Sequence, residues 1–259
     1  MERLPAREPV TPGDDFSGIG PFFAIRVHPA GARLAPPWRP LEELERDAEA
    51  LLARVAAVRA RIAAAHGLPP QGVEFRVAAS VAHLGLAARL LSPALVLALT
   101  RGRPLAPGLA GLWWQPVLGR PVPLSVPELP PAPRGDGAAP PDPECLLRAC
   151  LDTGPAAGLT GAFAALPLSS RVLWGNAASA LHSAAEATAA ARPDLAEAAW
   201  RVTAALLESP PLRAVSGHTA EGRFRRRSCC LYYRAAPGKA GPVCGDCVLT
   251  PVRRPRESA

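Results

Sequence analysis

Several motifs of common enzymes are missing from this chain of 259 residues. It has no G-x-S-x-G nucleophile elbow, no P-loop and no dinucleotide-binding fingerprint, so no motif for bound nicotinamide, flavin or nucleoside triphosphate is present. Aromatic residues make up only 5% of the sequence. Because no basic helix is interleaved with aromatic residues either, we do not expect the protein to bind nucleic acid.

A signal peptide and a clear membrane span are also missing. The first five residues, MERLP, lack an apolar region. The most apolar stretch, 77–99, is interrupted by His83, Arg89 and Pro93, which predicts a buried helix and no transmembrane segment. We therefore expect a cytoplasmic protein whose thiols stay reduced and free to bind a metal. Peripheral association with the inner face of the membrane stays open.

The composition is that of a soluble globular protein. Hydrophobic residues make up 49% and charged residues 20% of the chain. The 32 prolines and 22 glycines predict long loops and interrupted helices. The net charge of +7 suits an anionic ligand or partner, although charge alone does not identify which.

The hydrophobic pattern predicts a mostly helical α+β fold with a small N-terminal β component. Residues 22–27 are apolar and β-prone, whereas 41–66 repeat apolar residues at helical spacing before Gly67. A second helical region covers about 75–98, with a break or kink at Pro93. Residues 112–117 and 122–126 resemble a pair of strands around Gly119.

A Pro/Gly-rich connector at 129–143 is the predicted boundary between two regions. Residues 1–135 would form an N-terminal α+β region, and residues 140–259 a C-terminal helical region that ends in a cysteine-rich segment at 223–250. Helices are predicted at 144–151, after a cap at Ser169 or Ser170, and from Pro193 to about Leu207.

Four of the six cysteines lie within nineteen positions, as the adjacent pair Cys229-Cys230 and the C-x-x-C pair Cys244 and Cys247. Two thiol pairs across a short loop can ligate an iron–sulfur centre. Structural zinc sites also use four thiolates, usually from two C-x₂₋₄-C knuckles, of which this segment has one. The adjacent pair would need an unusual turn to bind a single tetrahedral ion with both sulfur atoms. A two-iron cluster avoids this need because its ligands are spread over two metals. Iron–sulfur, zinc and redox or disulfide chemistry all stay open from the spacing alone.

The C-terminal motif resembles a known family. RRRSCCLYYR at 225–234, followed by CGDCVL at 244–249, is similar to the C-terminal signature of the FhuF-like ferric-siderophore reductases. The upstream segment LWGNAAS at 173–179 also resembles that family. The resemblance covers about residues 165–250 and is diffuse before them.

This resemblance implies that Cys229, Cys230, Cys244 and Cys247 bind a [2Fe–2S] cluster. It implies a ferric-chelate reductase, an enzyme that passes one electron to a ferric siderophore and releases Fe(II). An external protein would supply the electron. Thirteen residues, 231–243, separate the two cysteine pairs here, which is longer than the family's usual gap. Pro and Gly in the gap allow the longer turn, so we expect ligation to persist while exposure of the cluster differs.

Other residues are candidates for supporting roles. The basic run Arg225, Arg226 and Arg227 could offset the charge of a thiolate-ligated cluster and position an anionic ferric complex; a solvated basic face is the alternative. Cys145 and Cys150 lie on a predicted helix and are interpreted as structural. Two other functions stay open: a zinc-stabilised binding module, and a [2Fe–2S] electron carrier for a different acceptor.

Overall fold

The computed structural model describes residues 16–128 and 141–249, and helices dominate both ranges. The helices are α1 (Glu43–Arg46), α2 (Ala48–Ala65), α3 (Phe75–Arg101), α4 (Pro143–Asp152), α5 (Pro155–Ala164), α6 (Ser170–Ala191) and α7 (Ala196–Leu207). The strands are short: β1 (Arg26–His28), β2 (Arg39–Pro40), β3 (Trp113–Trp114), β4 (Leu124–Pro127), β5 (Ser216–His218) and β6 (Phe224–Arg226). The predicted mostly helical α+β class is confirmed.

The long helix α3 is the centre of the core and packs most extensively against α6 and α2. Length and composition alone would let α3 cross a membrane, but 78% of its most apolar window is buried inside the fold, as in the core helix of a globular protein. A break or kink is predicted at Pro93; the break is wrong, since α3 continues through this residue to Arg101. Pro93 is itself buried in the core, where the packing of neighbouring residues such as Leu90 and Leu95 offsets the missing backbone hydrogen bond.

Two of the predicted strands pair as expected, and two elements are shifted or divided. Strands β3 and β4 are antiparallel, with Trp114 opposite Leu124, in a four-stranded sheet of order β1-β4-β3-β2. The first strand begins at Arg26, four residues later than predicted. The predicted helix at 41–66 is divided at Asp47, whose extended backbone ends α1 and whose carboxylate caps α2 by accepting hydrogen bonds from the backbone N–H groups of Glu49 and Ala50.

In the second range, the helices predicted after the connector are present, and α5 is additional. The side chain of Ser169 accepts a hydrogen bond from the backbone N–H of Val172 and so caps α6, as predicted. Strands β5 and β6 then form an antiparallel hairpin that leads into the cysteines. After this hairpin the chain has only short 3₁₀ turns, at Tyr232–Ala235 and Pro237–Lys239, within the described part.

Residues from both described ranges share one hydrophobic core. At the contact between α3 and α6, Asn176 Nδ2 donates hydrogen bonds to the backbone oxygen (3.0 Å) and hydroxyl (3.2 Å) of Ser80. Helix α6, which lies beside the cysteines, is therefore fixed directly to the core helix. Most of the predicted connector, 129–140, lies outside the described residues, and the division into regions at 1–135 and 140–259 stays a prediction.

Candidate metal centre

The fold brings one cysteine of each pair into contact. Cys230 Sγ lies 3.6 Å from Cys244 Sγ, although fourteen positions separate the two residues in the chain. A tetrahedral metal with metal–sulfur bonds of about 2.3 Å would hold two of its sulfur ligands about 4 Å apart, which is close to the observed distance. Cys230 and Cys247 are buried, and Cys229 and Cys244 are half-buried. One cysteine of each pair therefore meets the other, at a place that is partly open to solvent.

Local backbone geometry explains how two adjacent cysteines can be accommodated. Leu231 has φ 69°, in the left-handed region, where a non-glycine residue costs on the order of 1 kcal/mol. This turn lets the backbone N–H of Leu231 donate to Cys229 Sγ at 3.2 Å. The second pair has a similar bond, from the backbone N–H of Leu249 to Cys247 Sγ at 3.3 Å. Such donors stabilise a sulfur that carries negative charge.

The pKa values of Cys229, Cys230 and Cys244 depend on one another and on their surroundings. The hydrogen bond with Cys244 lowers the pKa of Cys230 to about 6, and the same bond raises the pKa of Cys244, so a thiolate on Cys230 is stabilised by the thiol of Cys244. Burial raises the pKa of Cys229, and the neighbouring charges of Cys230 and Cys247 raise it further. Gathering four thiolates here therefore requires positive charge, either from a metal or from the protein.

Arg226 supplies part of that positive charge from inside the protein. Only 1% of its surface is exposed, its Nη2 donates to Asn176 Oδ1 at 2.5 Å, and its backbone N–H donates to the backbone oxygen of Asp246 at 3.0 Å. Its charge favours the thiolate forms of both Cys229 and Cys230. Its Nε and Nη1 are buried and have no hydrogen-bond partner among the described residues. A buried cation with unpaired donors is costly, so these residues fit an anionic, thiolate-ligated centre.

A chain of buried polar groups holds Arg226 in place. Asn176, which donates to Ser80, also has its Nδ2 3.4 Å from Nδ1 of His83, whose Nε2 lies 3.4 Å from the Thr160 hydroxyl. Burial, with a smaller effect from the charge of Arg226, lowers the pKa of His83 to about 3. His83 is therefore neutral and adds no positive charge. The position of Arg226 is thus tied to α3 and α5.

The chain before the first cysteine packs tightly on α6. The Ser228 hydroxyl donates to the backbone oxygen of Arg171 at 2.7 Å. Gly175 faces this contact: a Cβ atom there would lie 2.4 Å from Ser228 Oγ and 3.2 Å from Arg226 Nη2. Glycine at position 175 therefore lets Ser228 and Arg226 pack this closely on α6.

The long gap between the cysteine pairs is fastened to the start of α3. Glu74 Oε1 accepts hydrogen bonds from Arg234 Nε (3.0 Å) and Nη2 (2.6 Å) and lies 3.4 Å from Lys239 Nζ. Glu74 Oε2 pairs with Arg76 at 2.9 Å. The hydrogen bonds from Arg234 and Arg76 lower the pKa of Glu74 to about 2. The thirteen-residue gap is therefore an anchored loop.

The three arginines of the predicted basic run lie in different environments. Arg226 is buried, so its side chain supports the cysteines from within and is not exposed to a ligand at the surface. Arg225 Nη2 donates to the backbone oxygen of Val248 at 2.5 Å, and Arg227 is exposed beside Gly217. That Arg225 and Arg227 position an anionic complex stays a prediction.

The remaining cysteines lie apart from the pair contact, on α4. Cys150 is buried, and burial raises its pKa to about 11, as expected of a structural thiol; Cys145 is exposed. Within residues 16–128 and 141–249, no three Cys, His, Asp or Glu side chains converge as closely as the ligands of one metal ion would. The assignment of all four cysteines as ligands stays a prediction, supported by the contact between the pairs.

Sequence patterns did not identify Glu74, Ser80 and His83, and they left two roles open for Asn176: a place near the cluster or ligand cleft, or local hydrogen bonding. Ser80 and His83 look like ordinary residues of an apolar helix, and nothing near Glu74 in the chain indicates a contact with Arg234. The motif at 173–179 was the one available indication that α6 contacts the cysteine segment, because it contains both Gly175 and Asn176.

Residues 226–249 match the family model described as the FhuF 2Fe-2S C-terminal domain. The match begins at Arg226 and includes Cys229, Cys230, Cys244 and Cys247, and it confirms the resemblance in this part of the chain. No curated protein matches the chain. The domain is a 2Fe-2S-binding domain, which confirms the predicted [2Fe–2S] cofactor.

Replacing single cysteines tests the ligand set. Cys→Ser at 229, 230, 244 or 247 should remove the visible absorption of the purified protein, because a serine hydroxyl is a poor replacement for a thiolate ligand. Cys145→Ser and Cys150→Ser are matched controls that should keep the absorption spectrum. Retained absorption in any of the first four variants, or its loss in a control, would show that the ligands are misassigned.

Gly175→Ala tests the close packing of Ser228 and Arg226 on α6. The added methyl group should displace Ser228 from Arg171 and destabilise the protein by about 1 to 3 kcal/mol, as overpacking does. The control is Gly161→Ala in α5, where a Cβ meets nothing within 4 Å and the gain in helix propensity should stabilise by about 0.5 to 1 kcal/mol. Urea unfolding measures both changes; equal effects of the two substitutions would contradict the packing described.

Glu74→Gln tests the anchor of the loop. Because the pKa of Glu74 is lowered from 4.5 to about 2 in the folded protein, its carboxylate stabilises the fold fully above pH 4.5 and loses this effect as the pH falls towards 2. Glu74 is 32% exposed, so we expect the variant to be less stable by only on the order of 1 kcal/mol at pH 7. Urea unfolding at pH 7 and pH 3 should show this difference shrinking at the lower pH; a constant difference would refute the ion-pair explanation.

Proposed function

We propose that this protein is an iron–sulfur ferric-siderophore reductase. The observation that carries the proposal is the 3.6 Å contact between Cys230 and Cys244 within the segment that matches the 2Fe-2S domain. Cys229, Cys230, Cys244 and Cys247 would hold the cluster, which when bound supplies a one-electron reductant at the sulfur ligands. The substrate would be Fe(III) held by the oxygen ligands of a siderophore.

One electron is sufficient to release such iron. Hydroxamate and catecholate oxygens are hard ligands that hold Fe(III) tightly, and the smaller charge of Fe(II) weakens that hold. The Fe(III) ion gains the electron and the chelator leaves intact, so no covalent bond to the protein is needed. Because the chain lacks a nucleotide or flavin motif, an external electron-donor protein would restore the reduced state.

The residues around the cysteines have distinct tasks in this proposal. Arg226 stabilises negative charge on the sulfur ligands from the buried side, where water does not screen it. Glu74 and Arg234 fix the loop that separates the pairs. Cys229 and Cys244 are half-buried, so the electron would leave through this more open part of the site. The proposed location is the cytoplasm, where siderophores arrive after import.

The test combines metal analysis with an assay of iron release. The purified protein should contain iron and acid-labile sulfide, and its visible absorption should bleach with dithionite. With several ferric siderophores, the reduced protein should increase the rate at which a ferrous chelator traps Fe(II). Cys230→Ser should abolish this increase, and Cys145→Ser should retain it.

Each alternative function gives a different result. A zinc-stabilised binding module would be colourless and unaffected by dithionite. An electron carrier for another acceptor would bleach but would not accelerate release from any ferric siderophore, and this outcome would refute the proposed substrate.

A further inference from the structure

A pocket of about 530 Å³ lies directly beside the second cysteine pair. Its walls come from α6, α7 and the β5–β6 hairpin, and Gly245 and Asp246, the two residues between Cys244 and Cys247, complete its lining. This volume is within the range of small-molecule sites, about 300 to 1,000 Å³. A molecule in the pocket would therefore contact the C-x-x-C loop itself.

One wall of the pocket is aromatic. The ring of His182 stacks on Phe224, with centroids 4.3 Å apart and an angle of 14° between the planes, and it lies 5.2 Å from the ring of Trp200. Trp200 is 39% exposed, which is unusual for so large an apolar side chain. The stacked rings offer a flat surface on which an organic ligand can pack.

Polar groups are placed around this aromatic wall. Asp246 belongs to the lining, and its carboxylate also lies beside the Cys244 thiol. His218 and Arg223, at the exposed end of the hairpin, and Glu186 of α6 complete the ionisable groups. Because the lining carries both signs of charge, it suits a ligand recognised by stacking and hydrogen bonds more than by high charge.

The position of Asp246 couples the pocket to the metal centre. Its backbone oxygen accepts the hydrogen bond from Arg226, and the residue forms part of the pocket lining. A second cavity of about 320 Å³, between α2 and α3, meets the loop between the cysteine pairs through Tyr232 and is lined mainly by apolar surface. The pocket beside the C-x-x-C loop has the richer set of polar groups.

We propose that the pocket lined by His182, Trp200, His218 and Asp246 is the binding site for the chelated ferric ion. This inference rests on the proposed function and assigns its substrate site. The organic arms of the chelate would stack on Trp200 and His182, with His218 and Asp246 as polar neighbours. The bound Fe(III) would take one electron from the cysteine-ligated centre and leave as Fe(II), while an external donor protein returns the electron.

Binding is tested without electron transfer by using Ga(III), which has no accessible reduced state. The probes are the Ga(III) complexes of a trihydroxamate and of a tricatecholate chelator, titrated by calorimetry into the cluster-loaded protein. We expect Trp200→Leu and His218→Gln to weaken binding of at least one complex about tenfold or more. Arg201→Gln, an exposed change on α7 outside the pocket, is the control and should bind like the unmodified protein.

Steady-state reduction of the matching Fe(III) complexes, with dithionite as reductant, gives a second readout. The two pocket variants should raise KM with little change in kcat, and their visible spectra should stay unchanged because no cysteine is altered. Equal binding by the unmodified protein and both pocket variants, or no binding of either complex by the unmodified protein, would overturn the assignment of the pocket. Binding of the Ga(III) complexes without faster Fe(II) release from the Fe(III) complexes would instead overturn the proposed function.

Discussion

The buried guanidinium of Arg226 is the constraint on which the site depends. Its side chain binds Asn176 of the core, and its backbone binds Asp246 between the second pair of cysteines. Two of its donors have no partner among the described residues. Such an arrangement is unfavourable by itself and becomes favourable only when negative charge collects beside it. The folded chain thus prepares a positive environment for thiolates and for any anionic centre they ligate.

The helical core gives this charge a fixed position. Because Asn176 also contacts Ser80 and His83, movement of Arg226 would disturb the packing of α3 on α6. Glu74, at the start of α3, holds the loop between the cysteine pairs through Arg234. The same core helix therefore supports both the charge behind the sulfur ligands and the loop that separates them. The helical core thus supports a segment with little regular structure of its own.

Much of the fold and the cysteine motif could be predicted from the chain, because both depend on local patterns. Apolar residues at helical spacing indicated α2, α3, α6 and α7, and the spacing of the cysteines indicated a thiolate-ligated centre. The errors have physical causes: Asp47 caps a new helix, and the packing around Pro93 lets α3 continue through it. The burial of Arg226 could not be predicted, since three adjacent arginines look equally solvated. Contacts such as Glu74 with Arg234 join residues 160 positions apart and leave no local signal.

The central claim is that the two cysteine pairs share one diiron centre. X-ray absorption at the iron edge of the purified protein tests this most directly, because it reports the atoms bound to each iron. We predict that every iron is surrounded by sulfur and has a single iron neighbour, and that this signal is lost when Cys230 is replaced by serine. Iron bound by oxygen or nitrogen, iron without an iron neighbour, or zinc in place of iron would contradict the claim.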